Sequence, residues 1–173
     1  MQELQDIIEA KLLTERKIFL WGQVDDISAK HVIERLLYVE ASAKNKEIQL
    51  IINSPGGMVT SGFAIHDAMQ SISSPVSTIC TGLAASMGSI LLSAGQKGKR
   101  FVYPNARVMI HQPSGGANGR YSDVKIQLDE ILKIKQKGAE LLAKNCGQTV
   151  EKILEDFDRD YWLDANEALE YGI

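Results

Sequence analysis

Little in this chain points to a fold held by covalent or metal staples. Its 173 residues include only two cysteines, Cys80 and Cys146, far apart and outside any C-x-x-C pair. Neither a disulfide framework nor a zinc knuckle is predicted, and a reducing compartment suits the composition. A domain of this length, 45% hydrophobic, buries most of its unfolded apolar surface unaided. A surplus of one charge is missing too: 19 basic and 22 acidic side chains give a net charge of −3, and the cations are scattered. Without a positive stripe, a nucleic-acid partner is not expected. The opening Met-Gln-Glu-Leu-Gln-Asp has no basic stretch followed by an apolar one, as a secretory signal would. Residues 68–96 carry no charged side chain, but Pro75, Gly82, Gly88, Gly95 and many serines and threonines divide them. They read as a buried strand and a buried helix instead of a membrane span, so a cytoplasmic location is expected.

Several catalytic signatures are also lacking. No G-x-x-x-x-G-K-[S/T] loop is present, and Gly115, Gly116 and Gly119 do not form a dinucleotide fingerprint, so the chain itself is not expected to hydrolyse ATP. His31 and His66 fall inside amphipathic helical patterns and outside any H-E-x-x-H motif; they read as surface or half-buried imidazoles, with no metal site and no cofactor expected. Gly82 stands four residues before Ser86, so the G-x-S-x-G elbow of α/β-hydrolases is absent.

What is present alternates. Residues 2–14 have helical spacing, and the N-terminal helix is expected over about 1–16. Residues 18–21 read as a strand. A helix follows, capped by Asp25 or Asp26 and running to about Ala43. Then come a strand over 48–52, a helix over 59–71, a strand over 76–81, a small-residue helix from about Gly82–Ala85 to Gly95, and strands over 100–103 and 108–110. Residues 122–145 are the longest periodic stretch, with apolar side chains on more surface than one packing face needs; such a helix protrudes and packs on another subunit. Helices over 149–157 and from Asp164 complete an α/β fold of repeated strand–helix units, a single domain over 1–173 with a largely parallel sheet.

Open α/β sheets place reactive groups at the carboxyl ends of strands, here the turns after residues 52, 81 and 110. The first turn holds Gly56 and Gly57, where backbone N–H groups can approach a ligand. The second holds Ser86, which at a helix opening is either an N-cap or a nucleophile beside free N–H groups. From spacing alone the cap is the simpler reading. The third ends at His111, in the position of a catalytic base. A serine becomes nucleophilic only with an imidazole to take its proton and an acid to orient that imidazole. Asp158 and Asp160, on either side of Arg159, are the acids on offer; each also reads as a solvated charge.

Four blocks then identify a resemblance: Ile-Asn-Ser-Pro-Gly-Gly at 52–57, Gly-Leu-Ala-Ala-Ser-Met-Gly at 82–88, Met-Ile-His-Gln-Pro at 109–113 and Asp-Arg-Asp at 158–160. In this order they resemble the ClpP family, the proteolytic subunits of the Clp protease, from about Leu12 to the last residue. The resemblance implies a ClpP/crotonase-like fold and a serine endopeptidase. In it Ser86 is nucleophile, His111 general base and Asp160 orienting acid, and the N–H groups of Gly57 and Met87 form the oxyanion hole. It further implies that Ser114, Gly115, Gly116, Ala117, Asn118 and Gly119 line a substrate groove, and that Asp158 and Arg159 link rings. The long helix would interlock two stacked rings of seven, and a separate AAA+ ATPase ring would feed in unfolded protein.

One departure from the family pattern concerns docking of that ATPase. Members with a working pocket carry aromatic or large apolar residues where this chain has Gln49, Ser71 and Thr81, although Ile51 and Ile79 fit. A more polar pocket is expected to bind an apolar loop weakly. The alternative assembly is a mixed complex in which a paralogous subunit docks the ATPase. Two other functions compete: a crotonase-like acyl-CoA hydratase or isomerase, needing a Glu base and a CoA site that the sequence does not offer, and an inactive structural ring subunit.

Overall fold

The structure, a computed structural model, describes residues 2–173. Met1, which falls within the expected 1–16 helix, lies outside the described residues. Helix α1 (Gln2–Thr14) leads into strand β1 (Lys17–Trp21), helix α2 (Asp26–Ser42), strand β2 (Ile48–Ser54), helix α3 (Val59–Ser71) and strand β3 (Val76–Ala85). Helix α4 (Met87–Ser93), strands β4 (Arg100–Val102) and β5 (Arg107–Ile110), helices α5 (Tyr121–Cys146) and α6 (Val150–Asp156), strand β6 (Tyr161–Leu163) and helix α7 (Ala165–Tyr171) follow. The expected α/β class holds, with six strands and seven helices among the described residues.

Local chemistry sets the boundaries. Asp25 accepts the Ser28 N–H while the Ser28 hydroxyl accepts the Asp25 N–H, a reciprocal cap that starts α2. Ala29, Val32, Leu36 and Val39 then recur at helical spacing and are buried. Asp164 and Glu167 make the same kind of cap for α7, and Gly147 and Gly172 end α5 and α7 in left-handed conformations. In β2 every second residue is buried, with Ile48, Leu50 and Ile52 fully enclosed. Each such side chain contributes about 1.5–3 kcal/mol by leaving water.

The sheet runs β1-β2-β3-β5-β6, parallel throughout except for the antiparallel β5–β6 pair. Strand β3 has two successive neighbours on one side: its first half pairs with β4 and its second with β5. Here the structure corrects the sequence expectation. The residues expected to open a helix, 82–85, continue the strand, because Leu83, Ala84 and Ala85 find ladder partners in Arg107, Val108 and Met109. The helix begins only at Met87.

Helix α5 protrudes as its composition demands. Its buried residues, Ala139, Leu142 and Ala143, lie toward its C-terminal end, while Ile126, Leu128 and Leu132 are exposed. Among the described residues no helix is long and apolar enough to cross a membrane.

Candidate active site

Ser86 occupies the single residue between β3 and α4, at φ 55° and ψ −121°, a region that non-glycine residues seldom adopt. Holding a residue there costs on the order of 1–3 kcal/mol, which its surroundings must offset. They do so through the backbone: the Ser86 N–H donates to Met109 O at 2.8 Å, and its carbonyl accepts from the Ser89 N–H at 3.0 Å and the Ser89 hydroxyl at 2.6 Å. The side chain makes no cap bond to α4. Of the two readings the sequence left open, the geometry removes the capping one, since Oγ lies 2.9 Å from His111 Nε2 instead.

Strand pairing explains that meeting. Ala85 pairs with Met109, so the residues leaving β3 and β5 emerge side by side. Ile110 pairs antiparallel with Tyr161, which sets His111 next to Asp160 just before β6. His111 Nδ1 is 2.9 Å from Asp160 Oδ1. A carboxylate at Nδ1 retains the proton there, leaving the Nε2 lone pair to face the serine hydroxyl. Asp160 is 59% exposed and His111 25%, so the line runs from a half-buried hydroxyl outward to solvent.

Gln112 clips the two loops together. Its N–H donates to Phe157 O, and its side-chain amide donates to Asp158 O at 2.7 Å and Asp158 Oδ1 at 3.1 Å. Of the two candidate acids, Asp160 therefore faces the imidazole and Asp158 the Gln112 amide. Arg159 points outward, its nearest charge being Asp158 at 3.9 Å.

Two turns meet at Ser86: Met87 follows it in the chain, and Gly56, the neighbour of Gly57, packs against its Cβ. Val24 N–H donates to Gly56 O and Val24 O accepts from Met58 N–H, so the Gly57 between them turns its own N–H away from Val24. The turn fits only without side chains: a Cβ on Gly57 would meet Val24 O at 2.2 Å, and one on Gly56 would stand 2.7 Å from Ser86 Cβ. Met87 is the first residue of α4, so its N–H belongs to the unsatisfied end of the helix. Its side chain packs against Gly62 of α3, where a Cβ would meet Met87 Cγ at 2.1 Å.

Beside Ser86 and His111 opens a narrow, mostly apolar recess. Val59, Phe63, Met87, Ile90, Ile134, Leu142 and Phe157 line it, with Lys135 as its one charged group. The roomier clefts, such as one of about 390 Å³ among α1, β1 and α2, contain none of the three paired groups. The segment 114–119 is irregular and mostly exposed, leading from His111 and Pro113 toward α5. Gln49 and Thr81 are half-buried and Ser71 is exposed.

His31 is exposed. His66 is buried, more so than its helical pattern suggested, with Nδ1 3.1 Å from Asp67. Neither lies in the site. Among the described residues no three His, Cys, Asp or Glu side chains gather as a metal would need. Sequence reasoning missed β6, Gln112 as a clip and the side chain of Asn53, which accepts the Leu83 N–H. The Asn53 signal was available: an asparagine next to a glycine-containing turn commonly bonds backbone.

The family model described as Clp protease matches residues 1–173, the whole chain.

Proposed function

This chain belongs to the Clp protease family, and from that premise we propose that it is a serine endopeptidase acting through Ser86, His111 and Asp160. The observation that carries the reading is the continuous hydrogen-bonded line from Ser86 Oγ through His111 to Asp160, each step 2.9 Å. Ser86 Oγ attacks the carbonyl carbon of a peptide bond as its proton passes to His111 Nε2. The Gly57 and Met87 N–H groups hold the oxyanion. The C–N bond breaks as His111 returns the proton to the leaving amine, giving an acyl-enzyme. Water, deprotonated by His111, then attacks the ester and releases Ser86 and a new carboxylate. Asp160 keeps the imidazole in the required tautomer and offsets its transient charge.

The apolar recess suits an uncharged side chain next to the cleaved bond. Residues 114–119 suit an extended substrate, paired through its main chain with little regard to sequence. The assembly we propose is two stacked heptameric rings joined through α5 and Asp158 and Arg159, acting in the cytoplasm on unfolded protein delivered by an AAA+ ATPase. The mixed complex with a paralogous subunit remains the second reading, favoured by the polar Gln49, Ser71 and Thr81 where an apolar loop would dock.

A fluorophosphonate probe followed by peptide mapping tests the chemistry. Label on Ser86, together with at least a 10³-fold loss of short-peptide turnover in Ser86→Ala and His111→Ala, is the expected result, since removing either member of such a unit can cost up to about 10⁶-fold in kcat. Substantial turnover in either variant would refute it. Mixed rings carrying Ser86→Ala in this subunit alone separate a working subunit from a structural one, for which turnover would not change.

A further inference from the structure

The sheet contains an irregularity at the point that decides where Ser86 comes to rest. Strands β2 and β3 pair in register from Ile48↔Val76 to Ile52↔Cys80, yet the next pair is Ser54↔Ala84. Two steps along β2 correspond to four along β3, so β3 carries two extra residues within Thr81-Gly82-Leu83. Were the first register to continue, Ser86 would stand level with Met58, past the glycine turn. The bulge draws it back by two residues, about 6–7 Å of strand, to the level of Gly56, whose Cα faces it closely. The same bulge allows Leu83, Ala84 and Ala85 to pair with Arg107, Val108 and Met109, which brings Ser86 beside His111.

Asn53 stands opposite the bulge. Its main chain stays in the sheet, pairing with Trp21 and accepting the Gly22 N–H at 2.8 Å. Its side chain does what a ladder partner would: Oδ1 accepts the Leu83 N–H at 3.1 Å. A Cβ at Gly82, whose φ is +94°, would lie 2.9 Å from that oxygen, so the amide and the glycine fit as a pair. A second side-chain bond at the bulge is long, Thr81 Oγ1 to Ile52 O at 3.5 Å.

We infer that Asn53 is a positioning residue for the nucleophile. By closing the β3 bulge through the Leu83 N–H, it fixes the register that sets Ser86 against Gly56–Gly57 and His111. It touches neither substrate nor reacting atoms. The inference rests on the reading of Ser86 as nucleophile.

The test compares Asn53→Leu, similar in size without an acceptor, with Asn53→Asp, which retains one, both in the full-length chain in its assembled form. Expected for Asn53→Leu is a fall in kcat of about 10–100-fold with KM within twofold, and an equal fall in the rate of fluorophosphonate labelling. Asn53→Asp should restore kcat to within about fivefold of the unaltered protein. Wild-type kcat in a folded Asn53→Leu, or equal losses in both variants, would overturn the assignment. Should Asn53→Leu not fold, amide exchange at Leu83 in the unaltered protein decides: protection comparable to the β2–β3 ladder supports the bond, and exchange as fast as an open loop rejects it. Ser86→Ala is measured alongside. Turnover surviving in Ser86→Ala defeats the nucleophile reading, whereas an inert Ser86→Ala beside a fully active Asn53→Leu defeats this inference alone.

Discussion

Gly56 and Ser86 are so close that a Cβ built on the glycine would stand 2.7 Å from the serine Cβ, 2.7 Å from Ala85 O and 2.8 Å from Met87 N. Most of what it would strike is backbone, which cannot rotate aside, and Gly56 also has φ +87°. Gly56→Ala must therefore push apart the turn bearing the Gly57 amide and the turn bearing Ser86. We predict a loss of peptide turnover of at least about 10²-fold, in the range seen when one oxyanion donor is lost. Gly98→Ala is the control: φ is +82° but nothing lies within 4 Å. It should cost about 1–2 kcal/mol in urea unfolding for the left-handed backbone and leave turnover intact. Equal activity in the two variants would defeat the argument.

Asp160 is more exposed than a buried orienting acid, at 59%. Water can therefore partly take its place at His111 Nδ1. Asp160→Asn should reduce kcat by about 10²–10³-fold, less than the roughly 10⁴-fold drop when a buried acid is so replaced. KM should change little, because the carboxylate bonds the imidazole nitrogen that faces away from Ser86. Turnover at the wild-type rate would remove Asp160 from the mechanism.

Much of this site was legible in the sequence, because its groups sit at strand ends, and strand ends are marked by abrupt changes from apolar runs to glycine, proline or small residues. Ser86, His111 and the Gly56-Gly57 turn are singled out that way, although for Ser86 spacing alone favours a helix cap, and helix α3 is read to its limits for a similar reason. The choice between Asp158 and Asp160 was not legible from periodicity, since it depends on the antiparallel pairing of Ile110 with Tyr161 across a long stretch of chain. Strand β6 is not legible because Tyr161-Trp-Leu163 lies between the charged Asp158-Arg159-Asp160 and the helix cap at Asp164, with no glycine or proline turn to mark it off. The second half of β3 was mistaken for a helix start because the bulge at Thr81-Gly82-Leu83 interrupts its pattern, and small residues there fit either element.

Away from the site, Glu40 of α2 predicts how the fold responds to acid. Its carboxylate accepts from the Ser73 N–H, the Ser73 hydroxyl and the Ser74 N–H, tying α2 to the turn before β3. These bonds lower its pKa from 4.5 to about 2. A group with a depressed folded-state pKa stabilises fully above its unfolded value, and that contribution is lost as pH falls through the folded one. Between about pH 4.5 and 2, the urea midpoint of the unaltered protein should therefore fall more steeply than that of Glu40→Gln. Parallel curves for the two would show that the carboxylate gives the fold no pH-linked support.

The two cysteines separate a serine mechanism from a thiol one. Burial raises Cys80 to about 12 and Cys146 to about 11, leaving almost no thiolate at neutral pH. Cys80 is fully buried, with Sγ 3.8 Å from Arg107 O, and neither thiol borders Ser86 or His111. Iodoacetamide should leave peptide turnover unchanged in the native protein and modify both cysteines only after denaturation in urea. A fluorophosphonate, whose target is an activated hydroxyl, should abolish turnover at one equivalent per chain. Inactivation by iodoacetamide with matching alkylation of either cysteine under native conditions would contradict both the burial and the assignment of Ser86, because an activated thiol would then be present where none of the site's groups can reach it.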